Sequence, residues 1–149
     1  MGGYTHLLLA VDFTDETGQV AERAVQLARA FDAGLSFIHV VEFLHMDLAN
    51  ELVLPQDVEL EEQMVASARR KLQELAEGLG MPDAPCRVEL GATKQEILRV
   101  AAEQKIDLIV VGSHGRHGIQ RLLGSTANAV LHGAPCDVLA VRIAESDGS

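Results

Sequence analysis

Residues 111–130, VGSHGRHGIQRLLGSTANAV, gather four glycines, three hydroxyls, two arginines and two histidines into one stretch. Those residue types suit the cradling of an anion. Gly112 and Gly115 can take positive φ and, lacking a Cβ, let a ligand reach backbone N–H groups. Gly124-Ser125-Thr126 opens a run with helical spacing, so free N–H groups and the positive end of the helix dipole point outwards. The hydroxyls of Ser113, Ser125 and Thr126 add donors, and Arg116 and Arg121 add cations. From Leu108 to Cys136 there is no Asp or Glu, in a chain that carries 22 of them. Together these groups suit a phosphate. Glycine-rich turns after strands are also common, Gly112 can simply end a strand and Ser125 can simply cap a helix, so the cluster alone leaves both readings open.

A second polar signal lies far off in sequence. The apolar run Leu7-Leu8-Leu9-Ala10-Val11 ends in Asp12. In open parallel sheets, ligands bind beyond the carboxyl ends of strands, where the strand order reverses. If the strands ending at Val11 and Val111 are neighbours there, Ala10, Val11 and Asp12 share a crevice with the glycine loop. Asp12 is also an ordinary Asx-turn residue. His114 and His117 lack a nearby carboxylate or Cys and make a poor metal site, so loop surface is their expected home. His39 reads as a core histidine with a satisfied ring, and Asn128 and His132, four apart, as the polar face of a helix.

Turnover of a bound nucleotide would need more than this. No Gly-x4-Gly-Lys-[ST] loop is present, and no carboxylate after the glycine loop is placed to hold Mg²⁺ or position a water. Asp107 lies at the opposite end of its strand from the loop. The residues point to binding rather than catalysis.

Alternating elements must position these groups. His6 to Val11 predicts a buried strand. Thr14-Asp15-Glu16-Thr17 supplies a capping hydroxyl and early carboxylates for a helix through Phe31, with Val20, Ala24, Leu27, Ala28 and Phe31 on one face. Gly34 stops that helix, and Leu35 to Val41 is a second strand. A helix with Pro55 near its start runs to about Leu79, where Gly80 and Pro82 end it; the mixed segment from Phe43 to Gln56 has no clear assignment. Cys86 to Leu90 is a third strand, Thr93 caps a helix through Gln104, and Asp107 to Val111 is a fourth strand. Ser125 to Leu131 is a final helix and Asp137 to Ile143 a fifth strand. This pattern predicts a single α/β domain over residues 1–149, with a five-stranded parallel sheet and a frayed tail.

Composition narrows the partners. Twelve Lys and Arg against 22 Asp and Glu give a net charge of −10, which repels nucleic acid and anionic lipid. Hydrophobic residues make up 48% of the chain, enough to fill a core and to argue against disorder. Cys86 and Cys136 are too few and too far apart for a disulfide framework or a zinc site and read as small buried core residues. The run from Leu7 to Val11 is too short to span a bilayer, no signal-peptide pattern precedes it, and His6 stands where a myristoylation signal wants Ser or Thr. The expectation is a cytoplasmic protein.

Beyond these physical readings, the chain is similar to the universal stress proteins, the UspA-type domain, over residues 4–143. The resemblance is carried by LLLAVDFTDET, FIHVVE, DLIVVGSHGRHG and LLGSTANAVLHGAPCDVLAVR, in that order. It implies an open sheet of strand order 3-2-1-4-5 with helices on both faces, of the Rossmann-like, adenine nucleotide α-hydrolase-like kind. A homodimer formed through the edge strand Asp137–Ile143 is also implied. Many members bind ATP or another adenine nucleotide, with Mg²⁺ arriving only on the nucleotide. At matching positions, Asp12 would contact the ribose, the backbone of Val40 the adenine, and Gly112, Gly115, Gly124 and Ser125, with Thr126 beside them, the phosphates. The ATP-binding members carry G-x2-G-x9-G-[ST], whereas eight residues separate Gly115 from Gly124 here. One missing residue shifts the loop by roughly 3 Å. A nucleotide-independent, dimeric interaction protein is therefore the main alternative, and a weak ATPase a third. A phospho-acceptor receiver domain is excluded, since it needs an Asp ending strand three and a Lys ending strand five, where this chain has Leu90-Gly91 and Arg142-Ile143.

Overall fold

The computed structural model describes residues 3–42, 56–113 and 125–142, with the side chains of 56–58 and 125–126 outside that description. Along the chain run β1 (His6–Ala10), α1 (Thr17–Phe31), β2 (Gly34–Val41), α2 (Gln56–Gly78), β3 (Cys86–Leu90), α3 (Thr93–Glu103), β4 (Leu108–Gly112), α4 (Ser125–Gly133) and β5 (Asp137–Val141). The five strands form one parallel sheet of order β3-β2-β1-β4-β5. β1 lies between β2 and β4, pairing Leu9 with Phe37 on one side and with Val110 on the other. The sheet order expected from the family resemblance is thus observed.

Burial on both faces explains the apolar runs. Alternate residues of a strand point to opposite faces, so a strand covered on both sides must be apolar throughout. Leu7, Leu9 and Phe37 pack with Ala21, Ala24 and Ala28 of α1 and with Ala68 and Leu72 of α2. Leu8, Ile38 and Ile109 face the other way, onto Ile97 and Val100 of α3 and Val130 of α4. Two helices therefore cover each face. Truncating any one of these buried leucines to Ala would cost roughly 2–5 kcal/mol.

Several expected boundaries move, each for a local reason. β1 ends at Ala10, yet the Val11 N–H still donates to the Ile38 carbonyl at 2.8 Å, so pairing runs one residue further. α1 begins at Thr17, with Glu16 at the cap position, no side-chain cap and no acidic residue in its first turn. The Thr14 hydroxyl donates to Asp12 instead. The same helix is stopped by Asp32, left-handed at φ 56°, rather than by Gly34, which already belongs to β2. Phe31, expected on the buried face, is 40% exposed and packs edge-on against Tyr4. Thr93 is the first residue of α3 and not its cap; its N–H and hydroxyl both donate to the carboxylate of Glu42, at the end of β2. Cys86 and Cys136 sit half-buried at the margins of the two cores, not inside them. Asn128 and His132 are exposed on α4, as its polar face. The segment Phe43–Pro55 and the end of the fifth strand at Ile143 lie outside the described residues.

Candidate functional site

The carboxyl ends of β1 and β4 come together because these strands are neighbours at the point where chain order reverses. Past β1, the backbone of Val11 is held on both sides. Its N–H donates to Ile38, and its carbonyl lies 2.6 Å from His39 Nδ1. A carbonyl can only accept, so Nδ1 carries the hydrogen and the ring orientation is fixed. Asp12 follows, exposed, with the Thr14 hydroxyl donating to its Oδ1 at 3.2 Å. Phe13 comes next at φ 55°, a left-handed backbone.

On the neighbouring strand, β4 ends at Gly112, and the Ser113 N–H donates to the Val141 carbonyl at 2.9 Å, tying the start of the loop to the end of β5. The Ser113 side chain is 9% exposed, and its Oγ has no hydrogen-bond partner among the described residues. Thr17 Oγ1, at the start of α1, is in the same condition.

Two clefts open here. The smaller, about 10 Å³, is lined by Ala10, Val11, Asp12, Thr14, Thr17 and Gly112, among others. That is room for about one water. The larger, about 460 Å³, lies beyond the end of β2 between Phe13, His39, Val40 and Glu42 on one side and Met64, Ser67 and Lys71 of α2 on the other. Its size falls within the range of small-molecule pockets, ~300–1,000 Å³. The Lys71 ammonium stands 5.6 Å from the centre of the Phe13 ring, and the His39 ring lies 4.5 Å from it between centroids.

Of the residues named from sequence, Ala10, Val11, Asp12 and Gly112 meet at the smaller cleft, Val40 lines the larger, and Ser113 is buried beside β5. Ser125 begins α4 with Thr126 next to it, their side chains outside the described residues; Gly115, Arg116 and Gly124 lie outside them altogether, as do His114, His117 and Arg121. His39 has a satisfied ring, as expected, but stands in a cleft wall rather than deep in the core. Among the described residues, no group of three His, Cys, Asp or Glu is placed to hold a metal ion. Burial pushes both thiols up from their ordinary values, with Asp137 and Asp107 adding to the effect at Cys136, so neither is an activated nucleophile.

Sequence reasoning missed Phe13, Lys71 and Glu42. A signal existed for Lys71: Leu60, Met64, Ser67 and Lys71 recur at helical spacing and form the α2 stripe that faces the larger cleft. For Glu42 there was none, because its partner Thr93 is brought to it only by the β2–β3 pairing.

Comparison with known proteins agrees with this architecture. The family model described as "Universal stress protein family" matches residues 3–142. The chain is 39% identical to universal stress protein A homolog 1 of Coxiella burnetii, over 95% of this chain and 99% of that one. Among solved structures, it resembles the universal stress protein UspA from Lactobacillus plantarum at 28% identity and a TM-score of 0.72, covering 97% of this chain and 100% of the other. A universal stress protein solved in complex with cAMP matches at 27% identity and a TM-score of 0.68, over 96% of this chain and 100% of the other.

Proposed function

We propose that this chain, which belongs to the universal stress protein family, binds an adenine nucleotide at the carboxyl ends of β1, β2 and β4 and acts as a ligand-responsive module rather than as an enzyme. The observation that carries the reading is the meeting of Asp12 and Gly112 at one small cleft, with a cleft of nucleoside size opening beside it. In this reading Asp12 accepts hydrogen bonds from the ribose, and the base enters the larger cleft beside Val40. The phosphates pass to Gly112, Ser113, Gly115 and Arg116 and to the start of α4 at Gly124, Ser125 and Thr126. The buried hydroxyl of Ser113, without a partner among the described residues, supports this, since such a hydroxyl is costly and a phosphate oxygen would satisfy it. The solved cAMP complex of a related protein supports an adenine nucleotide as the ligand class. Mg²⁺ enters only on the nucleotide's own phosphates.

Turnover is no part of the proposal. Asp12 is a single acid on the small cleft, and Asp107 is occupied at the far end of β4 by Thr5 and His6. The same reading has two chains pairing along β5 in the cytoplasm. Val138, Leu139 and Ala140 of that edge strand are only half-buried within one chain, which leaves apolar surface for a second copy. Light scattering should then return the mass of two chains.

Isothermal titration with ATP, ADP, AMP and cAMP tests the ligand. Saturable heat is expected for at least one. No heat at millimolar ligand would end the nucleotide reading and leave the nucleotide-independent interaction protein, which the eight-residue spacing between Gly115 and Gly124 favours.

A further inference from the structure

Phe13 is out of the ordinary in three independent respects. First, its backbone is left-handed at φ 55°, a conformation that costs a bulky side chain of order 1–3 kcal/mol and persists only where the surroundings enforce it. Two other non-glycine residues among those described share it, Asp32 and Lys105, but both terminate helices, where a left-handed residue is the normal ending. Phe13 follows a strand and has no such reason. Second, the chain is poor in aromatic rings, with four Phe, one Tyr and no Trp. Tyr4 and Phe31 pack on each other and Phe37 is fully buried, whereas Phe13 is half-buried in a cleft wall. Third, the ammonium of an exposed lysine, Lys71, which forms no ion pair among the described residues, stands over its ring at 5.6 Å. A cation over an exposed ring is held by only about 0.5–1 kcal/mol. A flat π-system entering the cleft can displace it.

The left-handed turn also fixes where the ring stands. Phe13 follows Asp12 in the chain and lines the larger cleft while Asp12 lines the smaller, so a ligand whose sugar met Asp12 would have Phe13 within reach of its base. We propose that Phe13 is the stacking platform of the site, taking the face of a purine base, with Lys71 as the resident group that the base displaces. The proposal rests on the nucleotide reading above and names the group that recognises the base. It also gives the strained backbone a role, since the left-handed turn helps set the Phe13 ring in the cleft wall. The base gains a rigid aromatic face backed by His39, whose own ring is locked by its hydrogen bond to Val11.

The absence of tryptophan makes the test direct. Phe13→Trp places a single indole at the platform, and a stacking purine quenches indole emission. Titrated with AMP, this variant should lose emission saturably, at the concentrations that titrate heat in the calorimeter, and ribose 5-phosphate should leave the emission unchanged. Phe13→Leu, with its fold checked by thermal melting, should weaken AMP binding about ten-fold or more. If the wild-type protein binds AMP while Phe13→Leu binds it equally well, or while the indole of Phe13→Trp does not respond, the platform is wrong and the nucleotide reading stands. If the wild-type protein binds no adenine nucleotide, both fall together.

Discussion

The two ends of the sheet are built to different rules. At the amino end, Asp107 accepts hydrogen bonds from the Thr5 N–H and hydroxyl, both at 2.9 Å, and from the His6 N–H at 3.0 Å. Nearby, Tyr4 donates to Asp137 at 2.6 Å, and the fully buried Ser36 pairs with His6 at 2.8 Å. At the carboxyl end, among the described residues, Asp12 has one hydroxyl contact at 3.2 Å, two hydroxyls are buried without partners, and a phenylalanine is held left-handed. Both ends contain an aspartate beside a strand of the same sheet, yet among the described residues Asp107 accepts three hydrogen bonds and Asp12 one. On the nucleotide reading proposed above, the difference separates polar groups that hold the fold from polar groups left for a ligand. An acid near a strand end is therefore no evidence of function until its partners have been counted.

Exchanging the two acids for alanine gives the widest contrast. Asp12→Ala should lower nucleotide affinity by about ten- to hundred-fold, since a hydrogen bond to a charged group contributes ~1.5–3 kcal/mol, and should leave the urea midpoint nearly unchanged. Asp107→Ala should do the reverse. It strands the N–H groups of Thr5 and His6 and should cost roughly 1–2 kcal/mol, a figure already reduced for solvent screening at a part-exposed site, with nucleotide affinity kept. Calorimetry and urea unfolding on both variants check the pair. A loss of stability in Asp12→Ala equal to that in Asp107→Ala would erase the distinction between the two ends.

Acid should weaken the closed end in a predictable direction. Partial burial pushes the Asp107 carboxyl up, but the backbone N–H groups of Thr5 and His6 and the Thr5 hydroxyl outweigh it and hold the group below the usual carboxylate value. A group whose pKa is lower in the folded state stabilises the fold above its unfolded pKa, about 3.9 for Asp, and loses that contribution as pH falls through the folded value. The advantage of wild type over Asp107→Asn should accordingly be full at pH 6 and shrink below about pH 4. Urea midpoints of the two proteins, compared at each pH, cancel the other carboxylates and isolate this one. A constant difference down to pH 3 would mean that Asp107 is not held as described.

Much of this was legible in the residues, and most of what was not shares a cause. The strands could be read because burial on both faces forces continuous apolar runs such as Leu7 to Val11. The closeness of Asp12 to Gly112 followed from where parallel sheets bind ligands, once β1 and β4 were neighbours, and that neighbourhood came from family resemblance rather than from periodicity. Most of the failures are non-local. Thr93 looks like a cap in sequence, but the carboxylate that meets it belongs to Glu42, 51 residues away. One is local: Thr14 looks like a cap for α1, but its hydroxyl turns back two residues to Asp12. The larger cleft depends on how α2 lies across the end of β2, and no spacing within either element encodes that. Phe13 was invisible in the sequence as a residue of the cleft wall because what sets it apart is a backbone angle.

The smallest expected effects probe the open end most finely. A buried hydroxyl without a partner carries a desolvation cost that its removal relieves, so deleting it should not harm the ligand-free protein. Ser113→Ala and the isosteric Thr17→Val should each leave thermal stability unchanged or raise it by up to ~1 kcal/mol. The two variants should part company once nucleotide is added. In the nucleotide reading Ser113 meets the phosphates, so its loss should weaken ATP binding several-fold, whereas that reading assigns Thr17 no contact with the nucleotide, and its loss should leave ATP affinity alone. Melting curves with and without ATP read both effects in one experiment. If Ser113→Ala melts well below wild type in the absence of nucleotide, its hydroxyl is satisfied within the fold. The carboxyl end of the sheet would then be as closed as the amino end, and the contrast between them would reduce to Asp12 and Phe13.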